Sequence, residues 1–397
     1  LASSRPLRIV IIGAGIGGLT AAQALHRAGF EVSLHERAAE LGEVGAGLQL
    51  GPNAFKVFRA LDLFDVVRAA SFEPTTRVTL NWNDASERNR VPLRGVDMAR
   101  YGAPFMTAHR ADLHRALRTG LPESIIHLGA TCTGVANTAQ GAVVHFSDGS
   151  SVEADLVVGA DGLRSIIRET LFGADAPRFT NSMCWRCIVP IELLPRRMGP
   201  GKTVAVDQTD HVSFYGPEGQ VICYPLGDGS TLNIFAGHYS DDWVEESWTL
   251  PSSPEELLQA YAGWADELLG MLRHVQHCFK WGICDREPRS VWTKGNITLL
   301  GDAAHPTMPN LAQGANMAVE DGIVLARALR QHGSDVPAAL VQYVAERQPR
   351  TRDITLKSRE NFERTRQWPP APPIDRSWIY AFDASQPMQA GLTGTAA

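Results

Sequence analysis

The stretch LRIVIIGAGIGGLTAAQALHRAGFEVSLHE, residues 7–36, decides the fold of this chain. Its apolar run Ile9, Val10, Ile11, Ile12 reads as a buried strand, and Gly13, Gly15 and Gly18 follow in G-x-G-x-x-G order where a helical pattern begins. In such a turn the first glycine permits the tight reversal and the second lets a pyrophosphate approach the backbone. The third lets the helix pack on the strand, while free N–H groups at the helix N-terminus face the anion. The helix predicted over 19–27 stops at Gly29, and a second strand over 31–35 runs into Glu36, an acid placed to accept hydrogen bonds from a ribose diol. Arg37, next in the chain, is counted with the cofactor contacts. Such glycine spacing arises by chance in many loops. The strand before it, the helix after it and the acid at the end of the next strand together make this a dinucleotide site. NAD and FAD both satisfy the motif.

The 397 residues predict two or three domains. A hydrophobic content of 44% and a charged content of 20% are those of a soluble globular protein. The formal net charge of −6 argues against a nucleic-acid partner, which calls for a basic stripe. No apolar run approaches bilayer length and no basic-then-apolar leader precedes the first strand, so the expected location is the cytoplasm. Six cysteines, at 132, 184, 187, 223, 278 and 284, are too scattered for a small disulfide framework. Cys184 and Cys187 form a C-x-x-C, which invites a zinc or dithiol reading. There is no second C-x-x-C, and Cys184-Trp-Arg-Cys187-Ile-Val reads as strand sequence with the cysteines as small apolar fillers, so no metal is expected.

Beyond Glu36, residues 38–53 are glycine-rich and without helical or strand period, as in a loop that follows a ligand surface. A helix is predicted over 55–67 from Phe55, Phe58, Leu61 and Phe64, and strands over 75–93 from Val78, Leu80 and Trp82. His109-Arg110-Ala-Asp112-Leu-His114 opens another helix, with Asp112 at its positive end and Arg110 placed to reach a phosphate. A β-rich region over 125–158 ends in Gly159-Ala-Asp161-Gly162, which by itself reads equally as ligand-facing backbone or as a plain turn. Strands are predicted over 184–190, 202–207, 211–215, 220–224 and 231–238, and a helix over 254–272. A strand over 297–300 then enters Gly301-Asp302-Ala-Ala-His305-Pro306, the second place where strand, glycine-rich loop and helix succeed one another; the helix is predicted over 315–330.

The three motifs, Gly13-x-Gly15-x-x-Gly18 with Glu36, Gly159-Ala-Asp161-Gly162 and Gly301-Asp302-Ala-Ala-His305-Pro306, together resemble those of the class A FAD-dependent aromatic hydroxylases. The stretches Gly42-Glu-Val-Gly45-Ala-Gly47-Leu-Gln49, His109 to His114 and Ala312-Gln313-Gly314-Ala315-Asn-Met-Ala-Val-Glu320-Asp321 are similar to the branch containing 3-hydroxybenzoate 6-hydroxylase, 6-hydroxynicotinate 3-monooxygenase and salicylate hydroxylase. The resemblance runs from Leu7 to about Arg352. It implies an α/β fold: a Rossmann-like FAD-binding domain (1–75, 100–180 and 285–350), an inserted mixed β-sheet substrate domain (76–99 and 181–284), and a C-terminal helical segment (351–397). It also implies tightly bound, non-covalent FAD, with NADH preferred over NADPH as reductant and O2 as oxidant. Cofactor contacts would come from Glu36, Gln49, Arg110, Asp161, Gly162, Asp302, Pro306, Gln313, Gly314 and Ala315, with Gln49, Pro309 and Asn310 at the substrate.

By that resemblance, a flavin hydroperoxide would attack a small aromatic ring whose hydroxyl a histidine deprotonates. His211-Val-Ser-Phe-Tyr215 matches the family's spacing, and in a strand positions 211, 213 and 215 share a face, so His211 is the expected base and Tyr215 the expected donor to substrate. Taken without the family, a strand histidine is more often a satisfied structural residue. His305 is not expected to be catalytic. Histidines of the hydroxynicotinate enzyme are replaced here by Gln49 and Asn310, and a glutamine of the hydroxybenzoate enzyme by Pro309, so a monohydroxybenzoate ranks first and a hydroxypyridine carboxylate second. Three rivals stand beside this reading: a nicotinamide dehydrogenase, a non-catalytic FAD-binding sensor, and a flavoprotein for a large ring. The expected assembly is a monomer or homodimer.

Overall fold

Residues 8–12, 156–159 and 297–299 carry enough apolar residues to be buried on both faces, and with 31–35, which buries Val32 and Leu34 on one face, they become strands of one sheet. In the computed structural model this six-stranded sheet runs in the order Thr293–Lys294, Ile297–Leu299, Leu156–Gly159, Arg8–Ile12, Glu31–His35, Ile126–His127. All its pairings are parallel except that of the edge strand Thr293–Lys294. The residues described are 5–41, 46–194, 197–198, 206–241, 250–372 and 374–387. Gly159 pairs with Ile12 on one side and Leu299 on the other, so the loops that start at Gly13, Ala160 and Leu300 leave the same edge of the sheet side by side. Ligands of open α/β sheets bind at such an edge. Helix Ile16–Arg27 packs on helix Gly314–His332, where a Cβ on Gly322 would stand 2.8 Å from the Ala21 nitrogen.

The second large sheet has eight strands, in the order Leu250–Ser252, Cys278–Asp285, Arg178–Pro190, Thr231–Tyr239, Gly219–Leu226, His211–Gly216, Thr76–Asn81, Glu87–Pro92. Its pairings are antiparallel except that His211–Gly216 lies parallel to Thr76–Asn81. Strand period 2 divides its residues. Val78, Leu80, Val212, Phe214, Val221 and Cys223 enter a core closed by helices Pro254–Ala260 and Asp266–Leu272. Burying a side chain such as Phe214 fully is worth about 1.5–3 kcal/mol. The alternate residues Arg77, Thr79, His211, Ser213, Tyr215, Gln220, Ile222 and Tyr224 face a cavity. Among the described residues no helix is long and apolar enough to cross a membrane.

The mixed α/β architecture expected from the sequence is the one found, and several local readings are corrected. The helix expected over 55–67 is two helices, Pro52–Ala60 and Phe64–Ala69, parted at Asp62, whose φ is 52°. That over 254–272 is also two, because Gly263 takes φ 84° and lets Trp264 turn into the core. Residues 38–53 are not loop throughout: Gly47–Leu50 is a strand paired with Met106–His109, and a helix begins at Pro52. Positions 42–45 lie outside the described residues, as do 202–205 of the strand expected over 202–207. The first strand of the insert is longer than read, Arg178–Pro190, with its register shifted between Phe179 and Met183. Helix Val336–Arg366 runs unbroken past position 350.

Candidate functional site

The aligned loops of the first sheet and the polar face of the second enclose one continuous cavity of about 1440 Å³. At its sheet-edge end the three glycines of the opening motif have three separate causes. Gly13 adopts φ 102°, and a Cβ there would lie 2.4 Å from Ala160 O. A Cβ on Gly18 would stand 1.9 Å from Gly13 O, so this glycine is fixed by helix-to-strand packing. Gly15 has ordinary extended angles and a Cβ on it would meet no atom within 4 Å, yet it lines the cavity. Only something entering from the cavity gives that glycine a steric reason.

Glu36 accepts from the Ala14 N–H at 2.9 Å and from the Ala38 N–H at 2.9 Å, so its carboxylate is held across the mouth of the turn, with Arg37 exposed beside it. His114 donates from Nε2 to Ala14 O at 2.6 Å, a brace for the turn that residue types alone did not assign. Arg110 lines the cavity at the start of helix Arg110–Arg118. Asp161 accepts from Ser165 Oγ at 2.5 Å and from the Ile167 N–H at 3.1 Å, so both its oxygens serve the helix Ile166–Phe172. Burial raises its pKa more than these bonds lower it. Gly162, at φ 76°, presents backbone to the cavity instead.

The loop after Leu299 brings Asp302 to the cavity wall, and its carboxylate makes no hydrogen bond among the described residues. Pro309, Asn310, Gly314 and Ala315 line the cavity too, with the N-terminus of helix Gly314–His332 directed at it. Pro306 and Gln313 do not reach the cavity surface. Gln313 is buried and accepts from Asn53 Nδ2 at 3.0 Å. His305 is also withdrawn, donating from Nε2 to Asp321 Oδ2 at 2.6 Å.

At the far end of the cavity His211 and Tyr215 share a face of their strand, as their spacing requires. His211 is buried, its imidazole stacked on Tyr224 (5.4 Å between centroids, 12° between planes) and edge-on to Phe105. Neither ring nitrogen has a hydrogen-bond partner among the described residues. Burial, followed by the positive charge of Arg77, pushes its pKa well below 6.5 and keeps it neutral. The Tyr224 hydroxyl is raised by burial and partly offset by Arg186 and by the side chain of Gln49, which approaches it. Burial raises the Tyr215 hydroxyl above its usual 10, so it stays a donor. Arg77 and Arg376 line the same end, and neither was singled out in the sequence. Cys184 and Cys187 face opposite sides of their strand, in different apolar clusters, and no metal-binding group forms among the described residues.

Comparison with known proteins brings three findings together. Residues 7–358 match the FAD binding domain family. The chain is 36% identical over 97% of its length to a 3-amino-4-hydroxybenzoate 2-monooxygenase of Streptomyces platensis, 98% of which is covered. It is 32% identical to a 6-hydroxynicotinate 3-monooxygenase of Pseudomonas fluorescens, with 96% of each chain covered. A salicylate hydroxylase solved as a substrate complex superimposes with a TM-score of 0.80 at 25% identity, again over 96% of both chains.

Proposed function

The chain belongs to the class A FAD-dependent aromatic hydroxylases, and on that premise we propose that it inserts one oxygen atom into a small hydroxylated aromatic carboxylate, a monohydroxybenzoate such as 3-hydroxybenzoate or salicylate. The observation that carries this reading is His211, a buried neutral imidazole with both nitrogens unpaired on a cavity wall. A neutral imidazole with an unpaired ring nitrogen can accept a hydrogen bond from a ring hydroxyl, and drawing that proton toward it activates the ring toward electrophilic oxygen. Tyr224 holds the imidazole plane, and the Tyr215 hydroxyl donates to the substrate from the same strand face. The eight-stranded sheet is thus the substrate platform and the six-stranded sheet the cofactor platform.

The residues present fit FAD. Gly15 offers bare backbone to a pyrophosphate, Glu36 an acid to the ribose, Asp302 a carboxylate with no hydrogen-bond partner among the described residues, and the N-terminus of Gly314–His332 about half a positive charge where a reduced flavin would carry negative charge. Bound FAD would supply the redox chemistry, electrons coming from NADH in preference to NADPH and going to O2. Met308 and Tyr380 add apolar wall to the cavity.

A second reading has its own observation. Asp97 lines the cavity near Arg77, its carboxyl raised by burial, and it would accept an N–H from a ring amino group. That favours an amino-substituted hydroxybenzoate, the ring named for the Streptomyces relative. A hydroxypyridine carboxylate, attacked with loss of its carboxylate, is the third candidate.

The test is NADH consumption by the FAD-loaded protein against 3- and 4-hydroxybenzoate, salicylate, 3-amino-4-hydroxybenzoate and 6-hydroxynicotinate, with product mass read alongside. One added oxygen in one product establishes the hydroxylase and selects among the rings. A yellow protein that no ring stimulates overturns the reading and favours a ligand sensor.

A further inference from the structure

We infer that Arg77 and Arg376 form a two-sided clamp for the substrate carboxylate, an inference that rests on the reading of the cavity given above. Arg77 sits on strand Thr76–Asn81, paired in register with His211 on the adjacent parallel strand. Val78 and Leu80, on the opposite face of the strand, enter the core, so Arg77 and His211 project into the cavity together. Its guanidinium lies over the Phe105 ring at 5.1 Å, and among the described residues it makes no hydrogen bond or ion pair. Arg376 arrives from a separate part of the chain, beyond helix Val336–Arg366 and just ahead of helix Ser377–Ala381. Its hydrogen bond among the described residues is a long one, 3.4 Å to the Asn310 carbonyl.

Two guanidiniums with most of their donors unmatched among the described residues, facing one cavity end, are an unfavourable pair until an anion lies between them. Arg77 is lowered from its usual pKa chiefly by burial, and the charge of Arg376 contributes to the lowering. The acids nearby do not quench this pair. Asp97 is within electrostatic reach but not at ion-pair distance, and Asp375 is bonded to the Ser377 N–H and hydroxyl. A carboxylate matches the planar guanidinium fork and would complete the arrangement.

The position selects a ring carboxylate over a cofactor phosphate. Adjacent strands stand about 4.8 Å apart, comparable with the span across one benzene ring from a carboxylate to a hydroxyl. An anion at Arg77 therefore leaves the hydroxyl of the same ring at His211. The glycine cradle for the dinucleotide belongs to the other sheet.

The experiment compares 3-hydroxybenzoate with 3-hydroxybenzamide, the same ring with its charge removed, by perturbation of the flavin spectrum of the FAD-loaded protein without NADH. The wild-type protein prefers the acid. Arg77→Gln and Arg376→Gln each lower affinity for the acid at least about tenfold while affinity for the amide changes little, and Arg77→Lys restores only part of the preference because it lacks the fork. Arg376→Gln, in a peripheral segment, keeps the test open should Arg77→Gln fold poorly. Equal loss for acid and amide, or no preference in the wild type, overturns the clamp. A retained acid preference with no turnover of any ring overturns the hydroxylase reading and leaves the clamp standing.

Discussion

Arg347 donates from Nε to Asp321 Oδ1 at 2.7 Å, and neither side chain is exposed to solvent. Asp321 Oδ2 accepts from the Gly301 N–H at 3.0 Å and from His305 Nε2 at 2.6 Å, so one carboxylate ties helix Val336–Arg366 to the start of the loop that carries Asp302. The neighbouring Glu320 accepts from Asn53 Nδ2 at 2.7 Å and from Arg350 at 2.8 Å. Arg347 Nη1 lies 2.7 Å from Glu320 Oε2, close enough for an ion pair though not aligned as a hydrogen bond. Buried charge here fixes the geometry of the loop that carries Asp302.

Arg347→Met is therefore expected to destabilise the protein by about 3–5 kcal/mol, because it leaves two carboxylates buried without their shared partner. Burial by itself would push the Asp321 carboxyl up, but His305 and Arg347 outweigh it and bring it down to about 2. Since the folded value lies below the unfolded 3.8, this contribution is present above pH 3.8 and is lost as the pH falls from 3.8 toward 2. Urea unfolding at neutral pH and at about pH 3 checks both statements. A gap between wild type and variant that does not narrow in acid contradicts the second.

Gly15→Ala and Gly18→Ala are expected to part company. At Gly15 the backbone suits any residue and the new methyl meets no protein atom, so the apoprotein melts as before while FAD affinity falls roughly tenfold or more, about 1.4 kcal/mol. At Gly18 the methyl meets Gly13 O, and overpacking of this kind costs about 1–3 kcal/mol in the apoprotein itself. Thermal melting without FAD, followed by FAD titration, separates the two. Equal loss of apoprotein stability would remove the argument that Gly15 is cofactor surface.

What was legible in the sequence was what is local. The turn from Gly13 to Glu36 and the shared face of His211 and Tyr215 depend on spacing within one or two elements, and residue period alone gives them. The two-helix form of 254–272 was signalled by Gly263, but apolar spacing continues across it and hides the break. Arg77 was invisible because its meaning comes from a parallel pairing with a strand far along the chain, and Arg376 because it reaches the cavity from a peripheral segment. The Arg347, Asp321 and Glu320 cluster escaped for a different reason. Charged residues on a helix are ordinarily solvated, and only the packing of two helices shows that these are not.

Tyr215→Phe deletes one hydroxyl and little else. If that hydroxyl binds the ring before and during the reaction alike, the KM for the ring rises several-fold and kcat stays near its wild-type value. Steady-state kinetics with saturating NADH measures the split. A fall in kcat with unchanged KM would move Tyr215 from binding the ring to the chemical step.

His211→Gln preserves size and hydrogen-bonding ability but removes the base. FAD content and ring binding are expected to persist, while the hydroxylated fraction of consumed NADH falls by about 10²-fold or more, the usual worth of a positioned base. The pH profile is the sharper discriminator. A histidine held well below 6.5 by burial and by Arg77 remains neutral through the ordinary histidine range, so wild-type hydroxylation should hold its rate as the pH drops through 6.5 and decline only further into acid. Substrate carboxylate between Arg77 and Arg376 would cancel part of the positive field and raise the value toward normal. The acid limb of kcat, set by the bound complex, should therefore lie at higher pH than that of kcat/KM, set by the free enzyme. Coincident limbs, or a His211→Gln profile that retains the wild-type limb, would show that another group takes the proton.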